Sequence, residues 1–185
     1  RRSGIWSLAR AASILLAVGV GLLSGWILRG EIPPTNSEIV LTTDTLVRDA
    51  FSYHVVYTPE VKHPVEVSAD QQQHLFNWLS KRLKTPVRAP NLDTIGYQLL
   101  GGRLLETGNE PAAQFMYENT QGQRATLFTR HRFASEQETA FRYASRDSIN
   151  GFYWIDRDLS FVLIADSSRD ELSRLAHYVY EGLNE

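Results

Sequence analysis

The chain has 185 residues, 43% of them hydrophobic, with 19 Lys and Arg against 21 Asp and Glu and no cysteine. The missing cysteines exclude a disulfide framework, a thiol nucleophile and a Cys-based zinc site. Four basic residues (Arg1, Arg2, Arg10 and Arg29) and no acidic one lie before residue 30, so the remainder carries 15 basic against 21 acidic residues. Nucleic acid is a poor partner for that acidic remainder, because phosphate binding needs clustered Lys and Arg.

The first element is an uncharged apolar run of 18 residues, AASILLAVGVGLLSGWIL, from Ala11 to Leu28. About 20 apolar residues rising ~1.5 Å each cross the ~30 Å hydrocarbon core of a bilayer, and Ile5, Trp6 and Leu8 lengthen the stretch at its start. A cleaved signal peptide has a shorter apolar region, about 7–15 residues, followed by a small-x-small site. Here the run ends in Trp26-Ile27-Leu28-Arg29, which favours a retained transmembrane helix at 11–28. Trp6 and Trp26 suit the headgroup zones, and the excess of Arg1, Arg2 and Arg10 over Arg29 puts residues 1–10 in the cytoplasm and the rest outside it. Ala17, Gly21 and Gly25 recur at a spacing that lets two such helices approach closely, so they are candidate packing residues for a homodimer.

Residues 29–43, with Pro33 and Pro34, read as a linker, and 44–185 as one domain. Leu46, Val47, Ala50, Phe51 and His54 recur at three and four, predicting a helix from about Asp44 to Val56, capped by Thr43 or Asp44 and stopped by Pro59. HPVEV (His63–Val67) alternates like a short strand. Ser68-Ala69-Asp70-Gln71 fits a capping box ahead of a helix with the stripe Leu75, Phe76, Trp78, Leu79 and Leu83. From Ile95 to Asp166 the period falls to two. GYQLLGGRLLE predicts a strand with a bulge or bend at Gly101-Gly102; PAAQFMYE and RATLFTR flank the turn NTQG; TAFRYAS, GFYWID and LSFVLIAD follow as consecutive antiparallel strands, one face covered and the other partly wet. A second capping box, Ser168–Glu171, opens a helix marked by Leu172, Leu175, Ala176, Val179, Tyr180 and Leu183. The expected fold is α+β: an antiparallel sheet of about five or six strands packed with two or three helices, preceded by one transmembrane helix.

Chemistry is sparse. His54, His63, His74, His131 and His177 show no H-E-x-x-H spacing, and neither G-x-S-x-G nor a phosphate-binding P-loop is present. Asp156, Asp158 and Asp166 cluster in sequence near a hairpin, where turn chemistry already favours Asp. No catalytic residue, metal ligand or cofactor is expected. Phe115, Tyr117, Phe128, Phe141, Tyr143, Phe152, Tyr153, Trp154 and Phe161 crowd the strands. Cross-strand pairing accounts for most of such a set, and a peptide- or lipid-binding surface is the functional alternative.

HPVEV at His63–Val67, QHLFNWLSKRLKTPVRAPNL at Gln73–Leu92, GYQLLGGRLL at Gly96–Leu105, PAAQFMYEN at Pro111–Asn119, ETAFRY and GFYWID, in this order and spacing, resemble the extracytoplasmic half of single-pass transmembrane anti-sigma factors of Gram-negative bacteria. The resemblance implies a regulator in the inner membrane with a periplasmic sensor domain. Its partners would be an extracytoplasmic-function sigma factor, held by a cytoplasmic helical domain missing from residues 1–185, and an envelope protease. The competing reading is an anchored periplasmic binding or scaffold module. Either way, a reporter active only in the periplasm, fused after Glu185, is expected to be active; activity of a cytoplasm-only reporter there contradicts the orientation.

Overall fold

The computed structural model describes residues 37–184, with side chains from residue 45. The expected stub 1–10, the apolar span 11–28 with Ala17, Gly21 and Gly25, and the start of the linker lie outside the described residues. No helix among the described residues is long and apolar enough to cross a membrane.

The elements are α1 (Ser37–Tyr57), β1 (Val67–Ser68), a 3-10 turn (Ala69–Gln71), α2 (Gln72–Leu83), a second 3-10 turn (Asp93–Ile95), β2 (Tyr97–Thr107), β3 (Glu110–Asn119), β4 (Arg124–His131), β5 (Thr139–Arg146), β6 (Ile149–Asp156), β7 (Leu159–Ala165) and α3 (Arg169–Asn184). They form an α+β domain with one seven-stranded antiparallel sheet in the order β1-β2-β3-β4-β7-β6-β5. The sheet is larger than the expected five or six strands, with β1 the additional piece. HPVEV contributes only Val67 to it. The strands are antiparallel but not a simple meander, since β4 pairs with β7 rather than with β5.

α1 begins at Ser37 rather than Asp44, so residues 37–43 of the expected linker are helical. No Gly or Pro interrupts the chain between Pro34 and Asp44, and a helix propagates through such residues more easily than it stops at an internal Thr or Asp. The box at Ser68 is not formed. Its hydroxyl donates to the Asp70 carboxylate, and a 3-10 turn, without a side-chain cap, leads into α2. The Ser168 box is formed: Ser168 N–H donates to Glu171 Oε2 at 3.1 Å and Glu171 N–H to Ser168 Oγ at 3.3 Å.

The glycine bulge falls where the sequence places it, with the β2–β3 register shifting between Leu99 and Gly101. Gly101 has φ +145°, and a Cβ there would lie 2.1 Å from the Val67 carbonyl oxygen. Only glycine lets β1 approach the sheet at this point.

The two faces differ. On one, Leu75, Leu79 and Leu83 of α2 and Leu172, Leu175, Ala176 and Val179 of α3 close over Phe115, Tyr117, Leu127, Trp154, Phe161 and Leu163. On the other, Leu46, Ala50 and Phe51 of α1 cover Ala112, Phe128, Val162 and Ile164. Both faces of the sheet centre are therefore covered, where one partly wet face was expected. The connection from β4 to β5 returns across the α1 face and is held by Arg130 and Glu136, 1% and 0% exposed at their side chains and 2.6 Å apart. Glu136 also accepts from Phe133 N–H at 3.0 Å and Ser160 Oγ at 3.1 Å. Burial alone pushes the Glu136 carboxyl up, but Arg130 and these donors outweigh it and hold the group below the usual carboxylate range. Removing one partner leaves an uncompensated buried charge. Glu136→Ala is expected to cost about 3–5 kcal/mol in urea unfolding, against under about 1 kcal/mol for Arg157→Ala at the exposed Asp156 pair.

Candidate functional site

The expected chemical residues are dispersed. His63, His74, His131 and His177 are exposed, and no group of three His, Asp or Glu converges among the described residues. Asp156 and Asp158 flank Arg157 in the tight β6–β7 turn, while Asp166 follows the far end of β7. The structure thus separates the carboxylates that sequence proximity had grouped.

What the fold does assemble is the seat of α1, the helix that opens shortly after the apolar segment. Leu46, Ala50, Phe51 and His54 fall on one stripe at spacings of three and four and are nearly fully buried. Phe51 fills a slot created by Gly151: a Cβ on that residue would lie 2.9 Å from the Phe51 ring. Leu46 and Phe51 each contribute about 1.5–3 kcal/mol by burial.

Polar contacts surround this stripe. Thr107 Oγ1 donates to Asp49 Oδ2 at 2.9 Å, Tyr53 OH donates to the Glu106 carbonyl at 3.0 Å, and His54 Nδ1 lies 2.8 Å from Thr126 Oγ1. Tyr53 stacks on Phe128 with centroids 5.7 Å apart. The Arg103 guanidinium lies 3.6 Å over the Tyr57 ring, and Arg124 Nη1 donates to the Thr58 and Glu60 carbonyls just beyond the helix. The sheet beneath is correspondingly polar, with Arg103, Gln114, Thr126 and Arg130 all buried. Neither amide atom of Gln114 has a partner among the described residues. Buried unpaired polar groups each cost about 1–3 kcal/mol, so the α1 seat is weaker than a fully satisfied or wholly apolar one of the same area.

His54 lies at the centre of this weaker interface. Burial lowers its pKa to about 4, opposed by the field of Asp166. The sequence showed His54 on the helical stripe, but nothing in it distinguished a buried imidazole from a surface one. The Arg130–Glu136 pair has a similarly faint trace in sequence: only the fold brings Glu136 back onto β4, although an Arg in register with Thr126 and Phe128 is a partial signal.

A cleft of about 470 Å³ lies between the C-terminal ends of α2 and α3 and the β6–β7 turn. Phe76, Val87, Phe161 and Leu183 line it, with Asp156 and Arg157 at its edge. It holds no nucleophile–base pair. The chain matches no protein-family model, no curated protein and no solved structure.

A histidine with a depressed folded-state pKa binds its proton more readily in the unfolded chain, where the pKa is about 6.5. Stability is then fully present above that value, falls as pH drops from about 6.5 towards 4, and is lost to its full extent below. Urea unfolding is expected to show a loss of about 2 kcal/mol between pH 7.5 and 5 from this group. His54→Asn should flatten that slope; an unchanged slope contradicts the assignment.

Proposed function

We propose that this chain is the anchor and periplasmic sensor half of a single-pass anti-sigma factor, restraining an extracytoplasmic-function sigma factor at the inner membrane until an envelope signal arrives. The reading rests on the ordered motif series from His63 to Asp156 and on one structural observation: the helix following the apolar segment is itself part of the folded domain, seated on a polar, imperfectly satisfied face. Loosening of that seat by an envelope signal is a direct route from the domain to the residues before it. With α1 detached, the residues of α1 itself become available to an envelope protease. Ala17, Gly21 and Gly25 offer helix pairing as a second route. No cofactor or direct nucleic-acid contact enters this scheme, and the sigma factor is contacted on the cytoplasmic side.

The test is a pull-down of the full gene product from membranes, probed for a sigma factor, with transcription from that factor's promoters as readout. Sigma is expected to co-purify. Phe51→Ala, which removes about 3–5 kcal/mol of seating energy, is expected to raise sigma-dependent transcription several-fold without any signal. Failure to recover a sigma factor overturns the reading. An unchanged basal level with Phe51→Ala overturns the role of α1 alone.

A further inference from the structure

β5 is the outer strand of the sheet, with no strand beyond it among the described residues. It is also the most exposed of the long strands, six of its eight residues being exposed. An edge strand carries a row of unpaired backbone donors and acceptors. Its side chains alternate between two chemistries. Phe141 and Tyr143 face the α3 side, where Phe141 meets Trp154 edge-on at 5.0 Å and Tyr180 of α3 at 5.7 Å. Phe141, Tyr143 and Tyr180 are each 37% exposed. Arg142 is in register with Tyr153 and Arg146 with Ile149, which places both on the α1 side.

Neither arginine forms an ion pair among the described residues. Arg169, 4.6 Å over the Tyr143 ring, adds a third positive charge beside the strand. The strand itself carries no acidic side chain; Glu138 and Asp147 stand just beyond its two ends. Charged edges also serve to discourage aggregation, but a row of exposed aromatics on the same strand works against that purpose.

A cavity of about 430 Å³ opens at the start of β5, lined by Thr139, Phe141, Trp154 and Tyr180, with Glu138 and Asp156 at its rim. Trp154 is 1% exposed, yet its indole N–H has no partner among the described residues, and the Thr139 hydroxyl has none there either. The acidic rim disfavours a carboxylate here, while the aromatic walls and free donors suit an apolar side chain with its backbone carbonyl.

We infer that the β5 edge is a docking site for an extended acidic segment of a partner protein. The segment adds an eighth strand, its apolar residues meeting Phe141, Tyr143 and the cavity and its alternate acidic residues meeting Arg142 and Arg146. The two-residue alternation of a strand delivers those two chemistries to opposite faces. A second copy of this chain fits less well, because antiparallel pairing of β5 with itself lines up the arginines of both copies on one ladder. This inference does not depend on the anti-sigma reading.

The probe is a fluorescent, end-blocked octapeptide alternating Leu and Asp, with a Leu/Lys octapeptide as its counterpart. Each is titrated by anisotropy against the full chain in nanodiscs, with empty nanodiscs subtracted, and followed by amide exchange. The Leu/Asp peptide is expected to bind and to slow exchange within 139–146. Arg142→Glu with Arg146→Glu is expected to weaken it about tenfold or more and to favour the Leu/Lys peptide, with the melting temperature nearly unchanged because both sites are exposed. Phe141→Ser should weaken both peptides. No binding, equal binding of both peptides, or protection elsewhere overturns the inference. Concentration-dependent protection of 139–146 without peptide overturns it in favour of a second copy.

Discussion

The pairing of β4 with β7 is the constraint on which the domain depends. Seven residue pairs, from Ala125 with Ala165 to His131 with Leu159, join one three-stranded unit, β2-β3-β4, to another, β5-β6-β7. Six residues of each strand are buried on a continuous run, so these strands need cover on both faces. That demand recruits helices to both sides of the sheet. It also forces the β4–β5 connection to travel back across the sheet, since β5 must reach the far edge.

The crossover explains the one fully buried ion pair among the described residues. Arg130 and Glu136 flank the point where the chain leaves β4, and Glu136 is satisfied by Arg130, Ser160 and a backbone N–H. A hydrophobic contact could cover the same area with less desolvation. The charged pair ties the loop to β4 and β7 at one point on its path to β5. The open β5 edge and the buried pair both go with the same strand order.

The two faces of the sheet give the attached helices different holds. α2 and α3 rest on an apolar layer of aromatic and aliphatic side chains, the environment that resists local opening. α1 rests on a face containing Arg103, Gln114, Thr126 and Arg130, with a neutral histidine at its centre. The proposed regulation needs an element whose release costs less than unfolding the whole domain, and α1, seated on this polar face, is the element the proposal assigns to it. The proposed release and the proposed docking edge lie on different elements, with β6 between them: Tyr153 of β6 packs against the cluster that contains Phe51, and Gly151 of β6 leaves room for the Phe51 ring.

Local patterns determined much of this protein. The helical stripes of α1, α2 and α3, the Ser168 box, the Gly101 bulge and the period-two strands were all legible, because each depends on residues close together in the chain. The apolar run 11–28 and its Ala17, Gly21 and Gly25 spacing are likewise sequence patterns, and they lie outside the described residues. Tertiary structure alone decided the rest. Strand order, the second covered face, the burial of His54 and Glu136, and the separation of Asp166 from Asp156 and Asp158 all depend on β4 choosing β7 over its neighbour in sequence. That choice arises from the packing of two complete three-stranded surfaces between helices, an energy shared among residues far apart in the chain and so invisible to any short window of it.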